Sequence, residues 1–454
     1  MSVTYDVKLG YIQERATRAS RAYIARWRVA RKERSKSFRT KGLAYAFMSD
    51  LRQATRAGEG FDPITGLPLS MLMQQSSGPS FLNFAQRYLM ERWNLTAART
   101  RETEAYALFS LVPALVAGLP HRPADEELRQ VLRIHALMPA DRRKELTRTQ
   151  STALQWLEKA SLPLTDLVEA HVLRQALHAI SITFAGRPAA ANTVRRKRAI
   201  FHHILEYAVE EQLFASNPLA RVNWKVPKAT TVVDPRAVVN PIQARQLLDA
   251  VSRVGRKRGH RLKTMFASIY YAALRPEEAA DLRLNNCHLP TSGWGLIVLE
   301  KARPQAATRW TNTGKTHETR SLKHRGDKET REIPIPPVLV AMLREHIARF
   351  EAAQDGRIFH TGTGNSYSSA AHSYVWKEAR RLTFSPEQVV SLLAARPYDL
   401  RHAAVSLWLN AGVPAVEVAK RAGHSVDVLL KVYAKCLDGQ QELDNSKIDD
   451  ALRI

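Results

Sequence analysis

The sequence predicts a multidomain fold: a small α+β N-terminal module, an all-α middle domain and a mixed α/β, mainly α, C-terminal domain. Three observations lead there. The chain has 454 residues, 45% of them hydrophobic, which is too long for one core and apolar enough for two or three domains to bury their own. The apolar period changes along the chain, from alternation to helical spacing to a mixture. Aperiodic stretches bearing proline separate these regions.

Residues 1–75 form the first module. Tyr23, Ala25, Trp27 and Val29 alternate with Ile24, Arg26 and Arg28; apart from Ile24 this is the period of a half-buried strand with a basic outer face. The charged run Arg31-Lys32-Glu33-Arg34-Ser35-Lys36 suits a hairpin turn, after which Ser37-Phe38-Arg39 resumes the extended pattern. Ala44, Phe47, Met48 and Leu51 recur at helical spacing, and Asp62 to Pro68 carries turn chemistry. Arg26 and Arg28, confined to one strand face, suit contact with DNA; an ordinary basic surface is the plainer reading.

Gln74 to Pro79 reads as a linker, and residues 80–225 as a helical domain. Phe81, Phe84, Tyr88 and Leu89 mark one helix. Val194, Ile200, Ile204, Leu205 and Ala208 mark another, whose opposite face carries Arg195, Arg196, Lys197 and Arg198. Such a face grips phosphates without reading sequence, or is simply solvated. Ser216-Asn217-Pro218 ends that helix. A second linker runs from Val226 to Ala237, and residues 238–440 mix helices with candidate strands at Gly295 to Glu300 and Thr330 to Ile335. The polar residues 441–454 read as a mobile tail or a partner-docking segment.

Charge narrows the partners. Lys and Arg number 68 against 43 Asp and Glu, a net +25, which favours polyanions and nucleic acid above all. Two cysteines, Cys287 and Cys436, exclude a disulfide framework and a cysteine zinc module and fit a reducing cytoplasm. The start Met1-Ser2-Val3-Thr4-Tyr5-Asp6 is unlike a signal peptide, and no apolar run approaches the roughly 20 residues of a membrane span. A soluble cytoplasmic protein associated with the nucleoid, with no membrane partner, is expected. No spacing suggests a metal site, and no glycine loop a nucleotide.

Four groups in the C-terminal half carry chemistry. In Tyr270-Tyr271-Ala272-Ala273-Leu274-Arg275-Pro276-Glu277-Glu278 an apolar helix delivers Arg275 to a corner, where Pro276 starts a new helix. Pro397-Tyr398-Asp399-Leu400-Arg401-His402, Ala422-Gly423-His424-Ser425 and Leu429-Leu430-Lys431-Val432-Tyr433-Ala434 follow in order. Between and after them the pattern reads helix, turn at Gly412, helix, turn at Gly423, then a last helix capped by Ser425. That packing would bring Arg401, His424 and Tyr433 near one another.

Leu274-Arg275 with Glu278, Leu400-Arg401-His402, Gly423-His424 and Tyr433 together resemble the catalytic domain of the tyrosine recombinase (phage integrase) family, over roughly Gln243 to Leu437. The middle domain resembles that family's core-binding domain, with Asn192-Thr193 to Asn217-Pro218-Leu219 like its last helix and exit. The N-terminal module is similar to an arm-binding domain. The resemblance implies a site-specific recombinase that cleaves and rejoins DNA through a 3′-phosphotyrosine on Tyr433, for integration or excision of a mobile element. It implies Arg275, Arg401 and His424 as donors to the phosphate, and a lysine on a hairpin between the two arginines. Lys323 is the first choice for that lysine, Lys328 its rival and Lys315 a distant third. The residue three before Arg401, usually histidine in the family, is Tyr398 here, a poor base at neutral pH. Tyr398 and His402 are therefore kept as possible catalytic or phosphate contacts. No metal or other cofactor is implied. The partners implied are two DNA duplexes holding a homotetramer, with room for a directionality factor. A type IB-like topoisomerase and a non-catalytic DNA-binding descendant are the alternatives.

Overall fold

The computed structural model describes residues 3–16, 21–71, 78–228, 232–255, 257–318, 320–321, 329–436 and 440–452. The chain divides into two units, Met1–Ala229 and Thr230–Ile454.

The first unit begins with an antiparallel sheet in the order β1 (Val7–Ala16), β2 (Arg21–Val29), β3 (Lys32–Phe38). Ala25, Trp27 and Val29 are buried while Arg26 is exposed and Arg28 half-buried, as the alternation predicts. The turn falls elsewhere than the charge run suggests. It is the residue pair Ala30–Arg31, both at positive φ (49° and 65°), and Lys32 to Lys36 are already strand, paired Val29↔Lys32 to Ala25↔Lys36. A two-residue loop with both residues left-handed matches the twist of the flanking strands. That geometry outweighs the polar composition of the run, which serves instead as the exposed edge of β3. β1 was not foreseen. The helix Lys41–Arg56 is capped by Thr40 and lays Phe47, Met48 and Leu51 on the sheet; the Trp27 and Phe47 rings meet edge to face at 5.3 Å. Helices then follow at Phe81–Glu91, Ala98–Leu111, Asp125–Val131, Arg148–Ala160, Ala170–Ser181 and Ala191–Glu210.

The second unit holds a three-stranded antiparallel sheet ordered β4 (Cys287–His288), β5 (Gly295–Leu299), β8 (Arg331–Ile335), and a hairpin of β6 (Lys301–Ala302) with β7 (Arg320–Ser321). The sheet register runs Gly295↔Ile335 to Leu299↔Arg331. Its apolar face joins the helices Pro241–Ser252, Arg258–Tyr271, Pro337–Phe350 and Ser369–Thr383 in one core. Trp376 lies in that core, 5.2 Å from the Phe266 ring, with its indole N–H on the carbonyl of Ala394 at 2.7 Å. A second, smaller core forms where Asp399–Asn410, Ala415–Ala422 and Val426–Tyr433 pack, with Ala404, Val405, Val418 and Leu429 at its centre. A helix, Gln440–Leu452, lies where a mobile tail or a partner-docking segment is expected. A helix without an apolar face leaves no period to read. Among the described residues no helix is long and apolar enough to cross a membrane, and no group of three or more metal-ligating side chains forms.

Candidate active site

The smaller core positions the site. Arg275 follows the helix Arg258–Tyr271 as the N-cap of the short helix Pro276–Ala280. Pro276 fixes that start, and Glu278 at the third helical position turns back to accept the backbone N–H of Arg275 at 2.8 Å. The same carboxylate accepts the Arg275 guanidinium at 2.8 Å. It also accepts both terminal nitrogens of Arg331, at 3.1 and 2.6 Å. Burial pushes the Glu278 carboxyl up, yet Arg331 and Arg275 outweigh burial and bring it down to about 2.

Arg401 sits in the first turn of Asp399–Asn410 and is fully buried. It donates to the carbonyls of Ala273 and Ala422, and its Nη2 lies 2.8 Å from His424 Nε2. A guanidinium can only donate, so His424 Nε2 is the acceptor and its proton is on Nδ1. Among the described residues that Nδ1 finds no partner, and neither does the Nε–H of Arg401 or of Arg331. Burial, then Arg401, Arg275 and Arg331, lower His424 to about 3, so the ring is neutral at physiological pH. Gly423 closes the preceding helix in the left-handed conformation at φ 66°, and its carbonyl accepts Arg275 Nη2 at 2.9 Å.

Tyr433 ends Val426–Tyr433 and is fully buried. Its ring stacks on His424 at 6.2 Å between centroids, and its hydroxyl is 3.0 Å from His402 Nδ1. Burial raises the phenol well above its ordinary value, against the pull of Arg401. Burial likewise lowers His402 to about 4. Tyr398 is half-buried and stands edge-on to His402 at 5.0 Å.

The structure thus gathers Arg275, Arg401, His424, Tyr433, His402 and Tyr398 from positions spread over 159 residues of sequence. Lys323 and Lys328 lie outside the described residues, in the stretch 322–328 between β7 and β8. Lys315 is exposed in a bend. In the first unit, Arg195 and Arg196 are exposed on Ala191–Glu210. Lys197 instead turns inward, donating to Ser110 Oγ at 2.7 Å, and Arg198 lies 6.0 Å from the Trp224 ring. Sequence reasoning missed Arg331. The signal was present: in Arg331-Glu332-Ile333-Pro334-Ile335 strand alternation puts Arg331 on the buried face with Ile333 and Ile335, where an arginine needs a carboxylate partner.

Two guanidiniums, of Arg275 and Arg331, therefore share one carboxylate, and a third, of Arg401, lies beside a neutral histidine and a tyrosine hydroxyl. The excess positive charge and the unspent N–H donors suit a tetrahedral oxyanion.

The comparisons with known proteins agree. Residues 238–439 match the phage integrase family. Among solved structures, the chain is similar to the integrase of transposon Tn1549 (aa 82-397) in complex with a circular intermediate DNA, at 14% identity and a TM-score of 0.50, covering 72% of this chain and 98% of that one. It is also similar to the XerH site-specific recombinase bound to difH substrate, at 11% identity and a TM-score of 0.47, covering 83% and 97%. No curated protein matches the chain. Fold and site define the class: a tyrosine recombinase catalytic fold, mostly helical with small antiparallel sheets. The chain carries a phage integrase family domain at residues 238–439, and the protein is an enzyme of DNA strand breakage and rejoining.

Proposed function

We propose that this enzyme acts as a site-specific integrase, cutting and resealing DNA through a 3′-phosphotyrosine on Tyr433 to insert or excise a mobile element. The observation that carries this reading is the cluster in which Arg275 and Arg331 share the Glu278 carboxylate while Arg401 is hydrogen-bonded to His424, with the Tyr433 ring stacked on that histidine. In-line attack on a phosphodiester builds charge on the non-bridging oxygens. Arg275 and Arg401 answer it with forks that stay protonated, and His424 Nδ1–H adds a neutral donor. The phosphotyrosine bond keeps the energy of the broken phosphodiester for rejoining. Lys323 gives the departing 5′ oxygen its proton, with Lys328 as the alternative. No metal or other cofactor takes part.

Double-stranded DNA at attachment sites is the partner, and nucleoid association follows from it. The net charge of +25 supports this, as does the Tn1549 relative, which is described in complex with a circular intermediate DNA. Residues 1–75 act as an arm-binding module through Arg26 and Arg28. Residues 80–225 act as the core-binding domain, with Arg195 and Arg196 on phosphates and Lys197 and Arg198 beside them. Residues 238–440 are catalytic, and 441–454 form a tail that docks on the next protomer of a homotetramer. A directionality factor would set the sense of the reaction.

The test is a nicked suicide duplex carrying the junction sequences that flank the gene. The parent chain should trap a covalent adduct. Tyr433→Phe removes one oxygen and no charge, so it should abolish the adduct and leave DNA binding nearly intact. A surviving adduct in that variant places the nucleophile elsewhere.

A further inference from the structure

The integrase reading supplies donors for the phosphate and an acid for the leaving group. It leaves the proton of Tyr433 without a destination. Burial raises that phenol, so the free tyrosinate is scarce at neutral pH and the proton must go to a group within reach. The position from which the family takes a histidine holds Tyr398, itself a phenol.

We propose that His402 is the general base for Tyr433: its Nδ1 takes the hydroxyl proton as the phenolic oxygen attacks phosphorus. This rests on the integrase reading. The distance is 3.0 Å, inside the range for direct transfer. In this role Nδ1 must accept from the hydroxyl, with the ring proton on Nε2. The surroundings fix the imidazole. His402 is one turn along from Asp399, Tyr398 stands edge-on to its ring, and Tyr433 lies against its other side. Burial is the largest influence and disfavours the imidazolium; Asp399 favours it, while Arg396 and Arg401 act with burial against it. The neutral ring is therefore the resting state. Arg401 is its neighbour in sequence and donates to His424, so the base and the phosphate donors are set by one helical turn.

The step balances. The Oη–H proton moves to Nδ1 of His402, the O–P bond forms, and the bond from phosphorus to the 5′ oxygen breaks. That oxygen takes its proton from the general acid. In rejoining, a 5′ hydroxyl attacks phosphorus and returns its proton to that acid, while Tyr433 leaves with the proton held by His402.

The experiment uses the full chain and single-turnover cleavage of the nicked duplex. His402→Asn puts an amide where Nδ1 sits, so it keeps a hydrogen bond to Tyr433 and removes the basicity. It should slow cleavage by about 10²- to 10⁴-fold, the usual range for a positioned base. Trifluorotyrosine at position 433 is a far more acidic phenol than tyrosine in the same buried site and depends much less on a base. It should return His402→Asn to within about tenfold of the parent and should not rescue Arg401→Ala. Parent-rate cleavage by His402→Asn overturns the proposal. So does a slow His402→Asn that trifluorotyrosine leaves slow, which would make His402 a positioning residue only. A measurement on the parent sequence does not depend on the variant folding. With a 5′-bridging phosphorothiolate, whose leaving group barely needs a proton, cleavage should retain a solvent deuterium isotope effect that trifluorotyrosine removes. Absence of that effect in the parent also overturns the proposal. A parent chain that forms no adduct at all overturns the integrase reading together with this one; every other adverse result overturns this one alone.

Discussion

Arg275 and Arg401 are the same residue type in one site, yet their hydrogen bonds divide their tasks. Arg275 is about one-sixth exposed at the side chain and spends its bonds on Glu278 and the Gly423 carbonyl. Arg401 is sealed and spends its Nη groups on the carbonyl of Ala273 and, from a second segment, on the carbonyl of Ala422 and the ring of His424. Losing either as a phosphate donor should cost on the order of 3 kcal/mol of transition-state stabilisation, the scale of one oxyanion donor. The stability effects should differ. Arg401→Ala strands the carbonyls of Ala273 and Ala422 in a dry interior, at about 1–3 kcal/mol for each, whereas near Arg275 the Glu278 carboxylate keeps Arg331. We therefore expect both alanine variants to slow single-turnover cleavage on suicide duplexes similarly, and Arg401→Ala alone to lower the denaturation midpoint strongly. Arg401→Lys should recover little, because one ammonium cannot span three acceptors. Equal midpoints for the two alanine variants would show that the Arg401 carbonyl bonds are dispensable.

At the scale of the element, the turn Ala422-Gly423-His424 is the joint through which three helices share one site. Gly423 is left-handed, and a Cβ there would run into the Arg331 guanidinium. Gly423→Ala should cost about 1–2 kcal/mol from the left-handed backbone alone, and more from displacing Arg331 off Glu278. The expected result is a lower denaturation midpoint together with slowed cleavage; a variant that keeps both would show the joint to be slack. This joint was legible in the sequence. A helical period ending in glycine and resuming after a serine cap states a turn, and the four motifs fall in order around it. The bond from His402 to Tyr433 was not legible, because it depends on how two helices cross and not on any spacing along one. Arg331 was half legible, through strand alternation, but the polar residue type drew attention to the surface. At the N-terminus β2 was read from its own period, while the hairpin turn was misplaced. Charge marked Arg31 to Lys36 as loop, and only the left-handed pair Ala30–Arg31 shows where the chain reverses. The lysines fall where sequence and structure both leave a choice, since 322–328 lies outside the described residues.

The whole molecule adds two expectations, one for each unit. If residues 1–75 bind arm sites, their removal should spare cleavage of a core site and impair integration that needs distant sites; equal integration by the shortened chain would assign the module another task. The second expectation concerns acid. Four histidines of the C-terminal unit, two buried (His346, His372) and two half-buried (His402, His424), are held low: His346, His372 and His402 at about 4 and His424 at about 3, with loss of solvation the first cause in each. In the unfolded chain each returns to its ordinary value near 6.5. A folded value below the unfolded one means that stability is fully present above about pH 6.5 and falls as the unfolded state takes up protons the folded state refuses. Glu278 acts in the same sense at lower pH, since its bond to Arg331 and Arg275 is worth most above about 4.5 and is lost toward 2. Near pH 5 the unfolded unit should bind about three and a half more protons than the folded one through these histidines, giving a steep slope of stability against pH. Denaturant titrations from pH 7.5 to 4.5 measure that slope directly. His372→Gln lies away from the catalytic cluster and should remove about one proton of it without affecting cleavage. A stability that stays flat between pH 6.5 and 5 would mean that the four rings are charged in the folded unit, and with them His402 and His424 in the site.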